Sequence, residues 1–140
     1  MASTLPALRP ALALALLRIT VGLIFLMHGW QKVFNYGFAG VTGSFTNMGI
    51  PLPGVMGPFV ALLELVGGAA LIVGFFTRII GTLFMIEMIV AVLVVHLAAG
   101  FFMPNGYEFA LLLCASSLAL ALSGGGEYSL DARSGRSPLR

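Results

Sequence analysis

Glu64, Glu87 and Glu108 lie in, or at the mouth of, stretches otherwise apolar enough to cross a bilayer, and Arg18 interrupts another near its middle. An ionisable group at the bilayer centre costs from ~2.5 kcal/mol upward, so such groups face a bundle interior, pair with one another and mark functional paths. His28 and Lys32 follow Arg18 on the first stretch, and His96 closes the third. Imidazoles titrate near neutral pH and relay protons. A positioned cation in low dielectric stabilises developing negative charge on oxygen. The chemistry these types support is proton exchange with a lipophilic substrate, inside a membrane.

Helices must position these groups, at about 100° and 1.5 Å per residue. Arg18, Phe25, His28 and Lys32 then fall within an arc of about 80° on the first helix. Glu64 shares a face with Gly57, Ala61 and Gly68, and Glu108 with Ala115 and Ala119. Small residues let backbones approach closely in lipid, so these faces are the packed ones. Depth predicts an Arg18–Glu64 ion pair at the midplane, with Arg78 at the inner end of the Glu64 face. It predicts a second cluster of His28, Lys32, His96 and Glu108 near the outer ends. Glu87 sits about 180° around its helix from His96. Either Glu87 faces Arg18 and Glu64 while His96 reaches the loops, or Glu87 faces a second subunit.

Composition supports the membrane setting. Of 140 residues, 59% are hydrophobic and 9% charged, against roughly 25% charged in soluble domains. Mean hydropathy is +1.06. Four apolar runs, at 10–33, 55–76, 79–99 and 106–123, each approach the ~20 residues a spanning helix needs. Lipid admits only helices or closed barrels, and runs of Leu, Ala, Val and Ile without strict alternation select helices. The expected fold is all-α, a four-transmembrane-helix bundle forming a single membrane domain over 1–140, with a C-terminal tail at 124–140. Hydrophobicity resumes after Arg18, so the first run reads as a retained helix and not a cleaved signal.

Four spans put both termini on one side, with Arg9, Arg78, Arg133, Arg136 and Arg140, while the opposite loops offer Lys32. The positive-inside rule makes the arginine side cytoplasmic. In the first outer loop, 34–54, Phe38, Val41, Phe45 and Met48 recur at helical spacing before Gly49–Pro53. That predicts a short interfacial helix, either a lid or an inert connector. The tail after Gly126 is expected to leave the membrane. Trp30 and Tyr107 are belt residues that could stack on a planar ligand. Met27, Met48, Met56, Met85 and Met88 read as gap-fillers and Cys114 as a small core residue. The lone cysteine excludes an internal disulfide and any dithiol motif, and the basic balance reflects terminal arginines and not a nucleic-acid patch.

Leu26–Lys32 (LMHGWQK), Met48–Pro51, Glu64–Gly68, Gly74–Arg78, His96, Asn105–Glu108 and Tyr128–Asp131 follow in an order that resembles the DoxX family, from about Leu17 to Asp131. The resemblance implies a four-helix inner-membrane protein and an oxidoreductase linked to quinone, thiol or oxidative stress; relatives include a subunit of a thiosulfate:quinone oxidoreductase. It carries over the polar set Arg18, His28, Lys32, Glu64, Arg78, His96 and Glu108. Glu87 lies outside the pattern.

Two readings of function follow. In the redox reading a quinone-like molecule enters from the bilayer. His96, Glu108 and His28 move its protons as catalytic groups. Arg18, Lys32, Glu64, Trp30 and Tyr107 bind it, and Arg18, Glu64 and Arg78 also serve as structural charges. The sequence offers no metal-cluster site, nucleotide loop or dithiol, so electrons pass between two bound substrates or come from a bound cofactor or a partner redox subunit. Haem held by His28 and His96 is a disfavoured alternative. In the non-catalytic reading the bundle binds or transports a small lipophilic or anionic compound, or scaffolds a partner enzyme. Four helices are few for transport unless the protein is a homo-oligomer.

Overall fold

A computed structural model describes residues 8–135. Arg136 and Arg140, and the side chain of Arg9, lie outside the described residues. Every regular element among those described is helical. Helix α1 (Leu8–Trp30) runs into a wide π-helical segment, Gln31–Tyr36, and then α2 (Gly37–Asn47). Helices α3 (Pro53–Leu62) and α4 (Gly68–Val73) flank a second π segment, Leu63–Gly67. Helix α5 (Thr77–Val90) ends in a third, Ala91–His96, and a short 3₁₀ turn. Helix α6 (Glu108–Ser123) and the short α7 (Leu130–Arg133) complete the chain. Three helical stretches, 10–47, 53–73 and 77–99, the first of them turned at Gly37, are long and apolar enough to span a membrane, and α6 is a shorter apolar helix. The chain is thus a membrane helical bundle.

In lipid, helices associate through close packing and not through hydrophobic exclusion, and glycine supplies the closeness here. A Cβ on Gly29 would lie 2.2 Å from the backbone nitrogen of Leu65, and one on Gly68 would lie 2.4 Å from that of Leu26. A Cβ on Gly22 would meet Gly68 and Ile72 at 2.9 Å. The α1 backbone therefore lies directly on the Glu64–Ile72 backbone. On the other side Gly81 admits α6, with Ser117 O and Ala121 N at 2.9 Å from its virtual Cβ. Between these contacts Phe25 and Phe84 stack at 3.7 Å, with rings 6° from parallel. Val21, Leu71, Ile80, Met88, Leu113 and Leu120 fill the rest of the core.

The register set by those glycines overturns the expected Arg18–Glu64 pair. Gly29 meets Leu65, Gly22 meets Ile72, and Arg18 meets Gly74. Arg18 and Gly29 are eleven residues apart, about 16 Å of helix, so Arg18 sits far below Glu64. Its guanidinium is buried at the tail end of the bundle and donates to the carbonyls of Gly125 (3.1 Å) and Tyr128 (2.8 Å). Arg78 likewise makes no ion pair among the described residues, and its Nη1 donates to Ala121 O at 3.4 Å.

The tail through residue 135 docks on the same end of the bundle. Arg18 holds its carbonyls, the Asp131 backbone N–H donates to Gly74 O at 2.9 Å, and the Asp131 carboxylate accepts from Phe76 N–H and Thr77 N–H, both at 2.9 Å. Those amides begin α5, whose first N–H groups have no intrahelical partners. Ser129 caps α7 by accepting from Ala132 N–H. Asp131 thus caps the start of α5 from 54–55 residues away, while Ser129 caps its own short helix. Asp131→Ala should lower stability by about 1–2 kcal/mol, as loss of a cap does, read as a lower thermal midpoint in detergent. An unchanged midpoint would mean that the tail is not docked.

At the opposite end α2 forms where loop periodicity predicts a helix. Gly37, with φ 70°, redirects the chain, and Val41 is buried while Gly57 closes on Thr42. Phe45, Met48 and Ile50 then overhang the interior. This is the lid end.

Candidate functional site

Beneath the lid lies a cavity of about 390 Å³, within the roughly 300–1,000 Å³ range of small-molecule sites. Phe25, Met88, Leu113, Phe109, Val60 and Ala91 give it apolar walls, and Phe45, Met48, Ile50, Met103 and Pro104 frame the lid side. Its polar residues are His28, Lys32, Glu64, Glu87 and His96.

The Gly29–Leu65 contact explains the central pair. Three residues beyond Gly29, Lys32 Nζ reaches Glu64 Oε2 at 2.5 Å, with the lysine side chain 20% and the glutamate 5% exposed. Charge-assisted bonds are stronger than neutral ones, and the low exposure of both partners limits screening by water. Glu87, from α5, brings its carboxyl beside Glu64 and within electrostatic reach of Lys32. Its second oxygen, Oε2, is buried with no protein partner. Three elements thus deliver one cation and two carboxyl groups to a single spot.

The π segments account for much of this. Lys32, Glu64 and His96 each stand in one, and Glu87 lies just before the third. A π turn holds an extra residue and retards the helical rotation, by about 100° for each inserted residue, and such bulges recur at functional sites. The 180° that a regular helix would put between Glu87 and His96 shrinks accordingly, and both line the same cavity. The choice posed by ideal helix geometry dissolves: Glu87 faces Glu64, and His96 reaches a loop without leaving the cavity. His96 Nδ1 lies 2.9 Å from Asn105 O. A carbonyl only accepts, so Nδ1 carries the hydrogen and the neutral ring keeps its lone pair on Nε2.

Of the site residues expected from sequence, His28, Lys32, Glu64 and His96 line the cavity, whereas Arg18, Arg78, Trp30, Tyr107 and Glu108 do not. Trp30 is half exposed and packs on Phe34 at 4.3 Å. Tyr107 meets the edge of Phe101 at 5.4 Å. The Glu108 carboxylate accepts from Met103 N–H at 2.8 Å and ties down the 100–107 loop. It is a loop staple at the start of α6, turned from the cavity by that bond. The sequence left Glu87 unassigned and read Met48, Met56 and Met88 as filler, yet these three line the cavity, as does Met103. Unbranched, polarizable side chains of this kind adapt to ligands of varied outline. Depth on α5, opposite Glu64, was the signal for Glu87.

A family model described as DoxX matches residues 13–97. The chain is 41% identical over 117 residues to "Putative oxidoreductase CatD" of Bacillus subtilis, covering 83% of this chain and 82% of that protein. Two Escherichia coli proteins are similar: "Inner membrane protein YqjF", 34% identical with 81% and 85% covered, and "Inner membrane protein YphA", 30% identical with 91% and 93% covered. No solved structure matches.

Proposed function

Because the chain belongs to the DoxX family, we propose that it is a quinone-linked oxidoreductase of the inner membrane, or the quinone-binding accessory subunit of one. The observation that carries this is the cavity: apolar walls of a size for a planar ring, lined by Lys32, Glu64, Glu87 and His28, with His96 bonded to the 100–107 loop. The reaction class follows the name of the Bacillus relative. Lys32 hydrogen-bonds a ring carbonyl and stabilises the oxygen that becomes anionic on reduction, where a preoriented charge in low dielectric acts most strongly. The ring takes two electrons from a partner redox subunit and two protons from water, the latter carried by His96 and His28. Arg18, Trp30, Tyr107 and Glu108 hold the frame.

The orientation we adopt has both termini cytoplasmic. Arg78 and the tail segment that carries Arg133 lie at one end of the bundle and Lys32 near the other, as the positive-inside rule requires. The lid then faces the outer aqueous phase.

The test is extraction of co-purified quinone from the purified protein, titration with a short-chain quinone, and quinol turnover by membranes overexpressing the chain. We expect binding in both wild type and His96→Ala, with turnover reduced in the variant by about 10²-fold or more, the usual share of a general acid–base group. Binding without turnover would leave a carrier of lipophilic compounds. Absence of both would remove the quinone.

A further inference from the structure

We infer that Glu64 and Glu87 share a single proton opposite Lys32, and that Glu87 delivers it to an anionic oxygen of the bound ligand. Two carboxyl groups attract one another only across a proton, since ionised carboxylates are acceptors alone. Glu87 lies beside Glu64 and near the same ammonium, and two carboxylates facing one cation would leave a net negative charge in a buried site, so one of the two is an acid. Lys32 is bonded to the other side, through Glu64 Oε2. One ammonium, one carboxylate and one carboxylic acid sum to zero charge, the arrangement that costs least where water is scarce. Glu87 Oε2 is the oxygen left over, buried and without a protein partner in the cavity wall.

The other elements around Glu87 leave this balance intact. From α1 and its π segment come Lys32 and His28, from the α3–α4 rod Glu64, and from its own helix His96. Helix α6 presents Phe109, Ala110 and Leu113, none of which titrates, and Glu108 is engaged with the loop. The neutral state is therefore set by the three ionisable residues Lys32, Glu64 and Glu87. When a ligand oxygen becomes anionic, its lone pair takes the shared proton. A ligand O–H bond forms, the carboxylic O–H bond breaks, and the negative charge passes to the Glu64–Glu87 pair beside Lys32. Water restores the proton through His96 or His28. The delivery step rests on the quinone reading; the shared proton does not.

Infrared spectroscopy of the ligand-free protein in lipid nanodiscs tests this directly. The wild type at neutral pH should show a carboxylic-acid C=O band that shifts in deuterated water. Glu87→Gln and Glu64→Gln should each abolish it, because the remaining carboxyl then pairs with Lys32 as a carboxylate. Lys32→Met should keep it. A Glu87→Gln difference spectrum that loses a carboxylate band instead of an acid band would overturn the inference, as would an acid band that survives Glu64→Gln. Alkaline titration of the wild type, which needs no folded variant, should remove the band, and its absence at neutral pH in that sample would be equally fatal. Failure of quinone binding with the band intact would sink the substrate and spare the proton.

Discussion

Gly29→Ala and Gly68→Ala should each destabilise the bundle by about 3 kcal/mol or more, although each adds one methyl group. Overpacking usually costs ~1–3 kcal/mol because neighbouring side chains yield. Here the atoms in the way are backbone: Leu65 N at 2.2 Å and Glu64 C at 2.7 Å for Gly29, and Leu26 N at 2.4 Å for Gly68. Relief requires the α1 and α3–α4 rods to separate along the contact, which also loosens the Phe25 stack. Effects of this size belong to the few mechanisms that lie in the tail of mutational distributions. Gly43→Ala is the control. It lies within α2 with nothing inside 4 Å of its virtual Cβ, and helix propensity favours Ala there by ~1 kcal/mol. Size-exclusion recovery and thermal midpoints in detergent distinguish them. Wild-type behaviour of Gly29→Ala would mean that these rods do not meet there, and the Lys32–Glu64 register would go with them.

That contact also marks what the sequence could disclose. Long runs of Leu, Ala, Val and Ile disclose that the chain is a bundle of apolar helices, because hydropathy in lipid is a one-dimensional constraint. The helix in the first loop was readable from Phe38, Val41, Phe45 and Met48. Depth alone cannot fix register. Counting residues from each membrane face put Arg18 level with Glu64, whereas glycine contacts at 22, 29 and 68 slide α1 so that Lys32 arrives there instead. Gly22, which faces Gly68, and Gly29, one heptad on and facing Leu65, were the overlooked clue. Rotation failed for another reason. Ideal α-helix geometry holds no π turns, and three of them lie at the cavity, so Glu87 and His96 could not be placed on one face by a 100° rule. The docking of the tail was legible in part, since Ser129–Leu130–Asp131 has the form of a capping segment, but which helix end Asp131 would serve is a tertiary fact.

Lys32→Met should be the most damaging single change in the cavity, and combining it with Glu64→Gln should separate stability from function. Alone, Lys32→Met leaves Glu64 and Glu87 without a cation in an apolar site. Breaking a buried pair by removing one partner costs ~3–5 kcal/mol, part of which protonation of the carboxyls recovers. The double variant removes the orphaned charge, and well-packed neutral replacements of buried pairs are often neutral or stabilising. We therefore expect the thermal midpoint to fall in Lys32→Met and to return to near the wild-type value in Lys32→Met/Glu64→Gln. Quinone affinity should not return, because the cation facing the ring oxygen is still missing; loss of one charged hydrogen bond, ~1.5–3 kcal/mol, corresponds to roughly 10- to 150-fold weaker binding. Lys32→Arg is no substitute, since a planar guanidinium fork does not replace a compact ammonium at a 2.5 Å contact. Recovery of both stability and affinity in the double variant would make the pair a structural clasp, and the site chemistry would then have to be sought at the histidines alone.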